Sequence, residues 1–183
     1  MMVYKTEQER ITQFIEAASK YKTLSLSAEF IDWLREKGFF NKPAAINHHG
    51  NYEGGLFDHS LAVEQSLLTM TGALNLRWQN PRSPFVVGMF HDLCKLDDYV
   101  KSNSTSSGWD YNKDKCLSGH GEKSIIILSQ FMTLTEEEIL CIRFHMGAYQ
   151  TDDWNSYDKA IRKYETVLWT HTADMYAAKV LNI

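Results

Sequence analysis

The feature that most limits what this chain can become is a set of ionisable residues placed inside apolar patterns. His59, the adjacent pair His91-Asp92, His120, His145 and Asp174 stand at or near the ends of segments whose other inward positions are apolar. Burying an unpartnered polar group costs about 2 kcal/mol or more, and an isolated charge far more. A shared metal ion removes that cost. Neutral imidazoles and carboxylates suit Mn, Fe, Co, Ni, Zn or Mg rather than a structural zinc cluster, and the long spacings argue against a short zinc finger. Read singly, each histidine has a plainer alternative as a hydrogen-bonded core residue.

The residues around this set fall mostly at helical spacing. Thr6-x-x-Glu9 is a capping box that opens a helix through Ile11, Phe14, Ile15 and Ala18. A second helix runs through Phe30, Ile31 and Leu34 and stops near Gly38. The stretch from Pro43 to Gly55 has turn chemistry, and a helix from about Asp58 to Ala73 places His59, Ala62, Val63 and Ser66 on one face. Ser83-Pro84 reads as an N-cap and first helical position, with the helix continuing from Phe85 to Leu96 and His91-Asp92 near its end.

Between Asp98 and Lys115, Tyr99-Val100 and Trp109-Asp110-Tyr111 flank a Ser/Asn/Gly-rich tip, which predicts a small hairpin. Ser118 caps a helix reaching about Phe131, and Thr135-x-x-Glu138 caps another through Ile139, Ile142 and Met146. A last long helix runs from Tyr157 or Glu165 to Leu181 and carries His171 and Asp174. The expected fold is all-α, a helical bundle with one small β-hairpin.

At 183 residues the chain reads as a single domain over 1–183, with N-terminal helices in 5–40 packed on a metal-binding core at 52–181. The 44% hydrophobic and 23% charged composition suits a folded body rather than a disordered one. A net charge of −4 gives no broad basic field for long nucleic acid, so none is expected as a partner; small anions remain, because bound metal supplies local positive charge. Cys94, Cys116 and Cys141 form no C-x-x-C pair and read as core thiols of a reducing compartment. Apolar runs such as Phe85 to Phe90 and Ile125 to Leu128 are too short to span a bilayer, and no leader pattern is visible, so the expectation is a cytoplasmic protein with no membrane partner.

Taken together, Gly54-Gly-Leu-Phe-Asp-His59, His91-Asp-Leu-Cys-Lys95, Gly119-His-Gly121, Phe144-His-Met-Gly147 and His171-Thr-Ala-Asp174 resemble the HD superfamily of metal-dependent phosphohydrolases, in the expected order over about Tyr52 to Lys179. The resemblance implies that His59, His91, Asp92 and Asp174 bind one divalent ion and that Asp92 bridges to a second held also by His120 and His145. It implies a bridging hydroxide as nucleophile and ions that neutralise a phosphoryl oxygen.

Lys95, four residues after His91 and three after Asp92, can share their face and contact a substrate phosphate; a surface lysine is the plainer reading. Asp58, beside His59, can orient a ligand or accept a proton, or simply suit a helix start. His171 can support a metal ligand or fill the core, and His48 and His49 can line the site mouth or be solvated. Trp109, Tyr111, Tyr149 and Trp154 can stack on a base, and the Ser102 to Gly108 tip can move over the site, though core aromatics and an ordinary hairpin turn are the better-supported readings.

Relatives that hydrolyse alarmones or deoxynucleotides often carry acids just after the His-Asp pair, where this chain has Lys95 and Leu96. The pattern is more similar to the branch with cyclic-dinucleotide phosphodiesterases, dinucleoside polyphosphate hydrolases and the HD domain of certain exoribonucleases, and no Gly-Tyr-Pro signature supports cyclic di-GMP. The expected substrate is a small phosphorylated or nucleotide-like molecule. Two other readings stay open: an HD-like mixed-valent di-iron oxygenase, and a non-catalytic binding domain stabilised by metal.

Overall fold

The computed structural model describes residues 5–105, 108–147 and 153–183. The chain is mostly helical with one two-stranded antiparallel hairpin, in the order α1 (Glu7–Ser19), α2 (Ala28–Lys37), α3 (Gly55–Leu74), α4 (Ser83–Phe90), α5 (Lys95–Asp98), β1 (Tyr99–Lys101), β2 (Trp109–Tyr111), α6 (Gly121–Leu128), α7 (Glu136–Arg143), α8 (Trp154–Lys163), α9 (Thr166–Met175) and a wider π-type segment, Tyr176–Leu181. In the hairpin Tyr99 pairs with Tyr111, Val100 with Asp110 and Lys101 with Trp109. No helix among the described residues is long and apolar enough to cross a membrane.

Helix starts follow their capping chemistry at α1, α2, α7 and α8. Thr6 with Glu9 and Thr135 with Glu138 form complete capping boxes, and Ser27 accepts from Phe30 N–H. Gly38 ends α2 at φ 84°, a conformation that other residues take only with strain.

Four expectations about boundaries need correction. Ser83 is not an N-cap: Arg82 holds that position, and Ser83 is buried with its hydroxyl donating to Glu138 Oε1 at 3.0 Å. The helix expected from Phe85 to Leu96 breaks after Phe90, and a turn at 91–94 separates it from the one-turn α5. His120, not Ser118, precedes α6, which closes at Leu128. Of the two starts expected for the last helix, Glu165 agrees with the N-cap of α9 and Tyr157 does not, since it lies in the separate α8; past Met175 the winding widens.

The centre is rich in phenylalanine. Phe14 from α1 meets Phe39, Phe40, Phe85 and Phe90 with ring centroids 5.6 to 6.4 Å apart, and Phe57 of α3 joins through Phe39 and Phe40. Each such ring, fully buried, contributes about 1.5–3 kcal/mol, and edge-to-face packing adds to that. This cluster seats α1 and α2 on α3 and α4 and so fixes the helices that carry His59 and His91.

Two glycines let the elements that carry the histidines approach closely. A Cβ on Gly88 of α4 would lie 2.5 Å from Glu64 Cα of α3, and one on Gly121 of α6 would lie 2.6 Å from Arg143 Cα of α7. Backbones can touch there only because no side chain intervenes. The first contact brings His59 and His91 together, and the second brings His120 toward His145.

Candidate metal centre

Five elements deliver one cluster. His59 comes from the first turns of α3, His91 from the end of α4, Asp92 from the turn that follows, His120 from the start of α6, His145 from just past α7, and Asp174 from the last turn of α9. His59, His91 and His145 are fully buried, and Asp92 and Asp174 nearly so. The imidazoles form a chain of neighbouring rings: His59 to His91 at 5.3 Å, His91 to His145 at 4.9 Å, and His145 to His120 at 6.1 Å between centroids.

The carboxylate of Asp92 stands at the middle with its two oxygens facing opposite ways. Oδ2 is 3.5 Å from His91 Nε2 and 3.9 Å from His59 Nε2, whereas Oδ1 is 3.5 Å from His145 Nε2 and 3.7 Å from His120 Nδ1. Asp174 Oδ1 completes the first side, 3.1 Å from His59 Nε2 and 3.9 Å from His91 Nε2. Three groups of ligand atoms thus lie within 4.8 Å of one another: His59, His91 and Asp174; His91, Asp92 and His145; and Asp92, Cys94 and His120.

The hydrogen bonds on the far side of each ring decide what the near side can do. His59 Nδ1 meets Ile183 O at 2.8 Å, His91 Nδ1 meets Gly88 O at 2.9 Å, and His145 Nδ1 meets Ile142 O at 2.7 Å. Carbonyl and carboxylate oxygens only accept, so each Nδ1 carries the hydrogen, and each Nε2 of a neutral ring presents a lone pair. All three Nε2 atoms are buried and make no hydrogen bond. Buried nitrogen and carboxylate lone pairs aimed at common points need a positive centre between them, and metal ions meet that need. The His/Asp cluster can therefore hold metal.

Burial and the neighbouring carboxylates pull the charge states of the cluster in opposite directions. Burial pulls His91 down to about 4 despite the nearby Asp92 and Asp174, so its ring is neutral at neutral pH. His120 is also lowered, chiefly by burial. For His145 burial opposes protonation, but contact with Asp92 outweighs it and raises the pKa. Burial alone would raise Asp92, but the Lys95 ammonium beside it outweighs burial and holds its carboxyl below the usual range.

No protein-family model, curated protein or solved structure matches the chain. The chemistry of the site stands on its own geometry.

Lys95 is buried, with Nζ 2.6 Å from Asp92 Oδ2. Burial works against its charge, but Asp92 more than compensates and raises its pKa above the ordinary lysine value. The cluster opens into a cavity of about 450 Å³ lined by Asp92, Lys95, His120 and Asp174 at one side and by Lys115, Lys179 and Tyr111 around it.

Asp58 is not brought to the cluster. Its carboxylate takes hydrogen bonds from Arg10 Nε and Nη2 at 3.3 and 3.2 Å and from Tyr52 at 3.2 Å, and it lines a different cavity. His171 bonds the backbone of His145, with Nδ1 2.7 Å from His145 O. His48 and His49 line the cavity at the cluster; His49 packs on His59 at 4.9 Å and is pulled down to about 4 by burial.

Among the aromatics, Tyr111 lines the cavity and packs edge-on to Tyr99 at 5.7 Å. Trp109 faces a separate cavity with Lys42 and Lys101, each 5.9 Å from its ring. Trp154 is exposed and packs on Tyr157. Tyr149 lies outside the described residues, as do positions 106–107 of the hairpin tip.

Sequence reasoning missed Cys94 as a member of the site. Its thiol is 2.9 Å from His120 Nδ1 and 4.0 Å from Asp92 Oδ1, and burial pushes its pKa up, so without metal it stays a thiol. Its position two residues after Asp92 was the available signal. Nothing in the sequence marked Ile183, whose contribution is a backbone oxygen.

Proposed function

We propose that this chain is a metal-dependent phosphohydrolase that cleaves a phosphate ester or anhydride of a small, nucleotide-like molecule, with a site similar to that of the HD superfamily. The observation that carries the reading is the convergence of three buried, unpartnered Nε2 lone pairs on the two opposed oxygens of Asp92. His59, His91, Asp174 and Asp92 Oδ2 would hold one divalent ion, and Asp92 Oδ1, His120 and His145 a second. Such ions supply an activated water and offset negative charge gathering on phosphoryl oxygens.

Lys95 suits the second task from the protein side. Its ammonium is charged, buried and at the mouth of the cluster, and Asp92 can release it to a phosphate oxygen once that carboxylate is engaged in ligation. Lys115 and Lys179 extend positive charge along the cavity wall, and a volume of about 450 Å³ fits a mononucleotide-sized ligand rather than a polymer.

The test is purified protein freed of metal, reloaded with Mn, Fe, Co, Ni, Zn or Mg, and offered a panel of nucleotides and small phosphate esters. Phosphate or nucleotide release that disappears in Asp92→Ala is the expected result. Absence of product with every metal, or turnover that survives Asp92→Ala, overturns the proposal. Substrate-dependent oxygen consumption with iron, without phosphate release, would point to the oxygenase chemistry instead.

A further inference from the structure

We propose that the backbone turn at Asn182–Ile183 sets the tautomer and orientation of the His59 ring, making Asn182 a positioning residue for the metal centre. The inference rests on the reading of His59 as a ligand.

The reason His59 needs outside help lies in helix polarity. His91 and His145 stand at the ends of α4 and α7, where carbonyls are left over, and each ring donates to the carbonyl three residues back. His59 stands in the opening turns of α3, where the leftover backbone groups are N–H donors and nearby carbonyls are taken by the helix ladder; Gly54 O, for one, already accepts from Asp58 N–H. Its acceptor comes instead from 124 residues away, Ile183 O at 2.8 Å.

Asn182 creates that reach. It adopts φ 57° and ψ 36°, the left-handed conformation that asparagine tolerates, and Ile183 N–H then closes back on Ala177 O at 3.1 Å. Gly50 lies beside this segment, where a Cβ would come to 3.4 Å from the main-chain carbon of Ile183. The segment that brings Asp174 to His59 Nε2 thus also brings the acceptor for His59 Nδ1, and both sides of one ring are set by one stretch of chain.

The experiment compares wild type with Asn182→Pro, whose ring cannot reach positive φ, and Asn182→Gly, which can. Nitrogen-15 NMR of metal-free protein reads the His59 tautomer, and calorimetric titration with Mn²⁺ reads affinity. Wild type and N182G should hold the hydrogen on Nδ1 and bind alike. N182P should lose the single tautomer and bind Mn²⁺ about 10–100-fold more weakly, the usual effect of removing a partner behind a ligand. A chain ending at Leu181 gives the same comparison should N182P fail to fold. Retention of the Nδ1 hydrogen in N182P and in the shortened chain, or unchanged affinity despite its loss, overturns the inference. If wild type binds no metal at all, the proposed function fails, and the tautomer alone decides whether this turn sets the ring.

Discussion

His59 Nε2 lies 3.1 Å from Asp174 Oδ1, yet the two make no hydrogen bond, because the ring has given its hydrogen to Ile183 on the other side. Two lone-pair-bearing atoms at that distance repel, and the repulsion persists in the folded protein unless a cation lies between them. Metal should therefore stabilise the fold. With free metal at about 100 times its dissociation constant, binding adds about 2.7 kcal/mol, a rise of about 5–10 °C in melting temperature for a chain of this size. Scanning calorimetry before and after chelation measures it, and a melting temperature indifferent to metal would show that the cluster holds none.

Lys95 separates holding metal from using it. In Lys95→Met the salt bridge to Asp92 Oδ2 disappears while all the ligand atoms remain. Metal content should stay at the wild-type level, and kcat on the substrate found in the panel should fall by about 10²–10³, as when one preorganised charge-stabilising donor is lost. Elemental analysis beside steady-state kinetics distinguishes this from a lysine that only balances Asp92, whose loss would leave kcat within a few-fold.

Asp58 should behave as a structural residue. Its carboxylate is committed to the buried Arg10 and to Tyr52, outside the cavity at the cluster, in a network that ties α1 to the start of α3. Arg10→Ala would strand that carboxylate and should cost about 3–5 kcal/mol in urea unfolding. Asp58→Asn should lower stability while leaving kcat within about 3-fold of wild type. A loss of turnover in Asp58→Asn with unchanged stability would return Asp58 to the catalytic machinery.

What the sequence made legible was whatever depends on local pattern and on residue type. Thr6-Glu9 and Thr135-Glu138 announced helix starts because a capping box satisfies its own backbone donors, whatever lies beyond. The six His and Asp positions stood out because ionisable groups among apolar neighbours demand a partner. Ser83 misled for a tertiary reason: the buried Glu138 claims its hydroxyl from 55 residues away. Asp58 was ambiguous because the sequence gives its helix position but not the buried Arg10 that turns it aside. Ile183 was invisible, since a backbone oxygen has no residue type to read.

Asp98 supplies a pH dependence whose sign is fixed by its partners. Its Oδ1 accepts from Lys115 Nζ and from the buried Lys123 Nζ, both at 2.8 Å. Burial works against the ionised carboxylate, but the two lysines outweigh it and hold the carboxyl below the usual range. The unfolded chain, with an aspartate pKa of about 3.9, then takes up a proton before the folded one does. Stability from this group is present above about pH 4 and is lost as pH falls through the lower folded value. Urea midpoints measured from pH 7 down to pH 3 should show a decline that is shallower in Asp98→Asn, which at pH 7 should already be less stable by about 1–3 kcal/mol through loss of the charged hydrogen bonds. Lys115 also lines the cavity at the metal cluster, so the same variant frees a cation at the site, and any change should appear in KM before kcat. Parallel pH profiles for the two proteins would mean that the lysines place Asp98 without depressing its pKa.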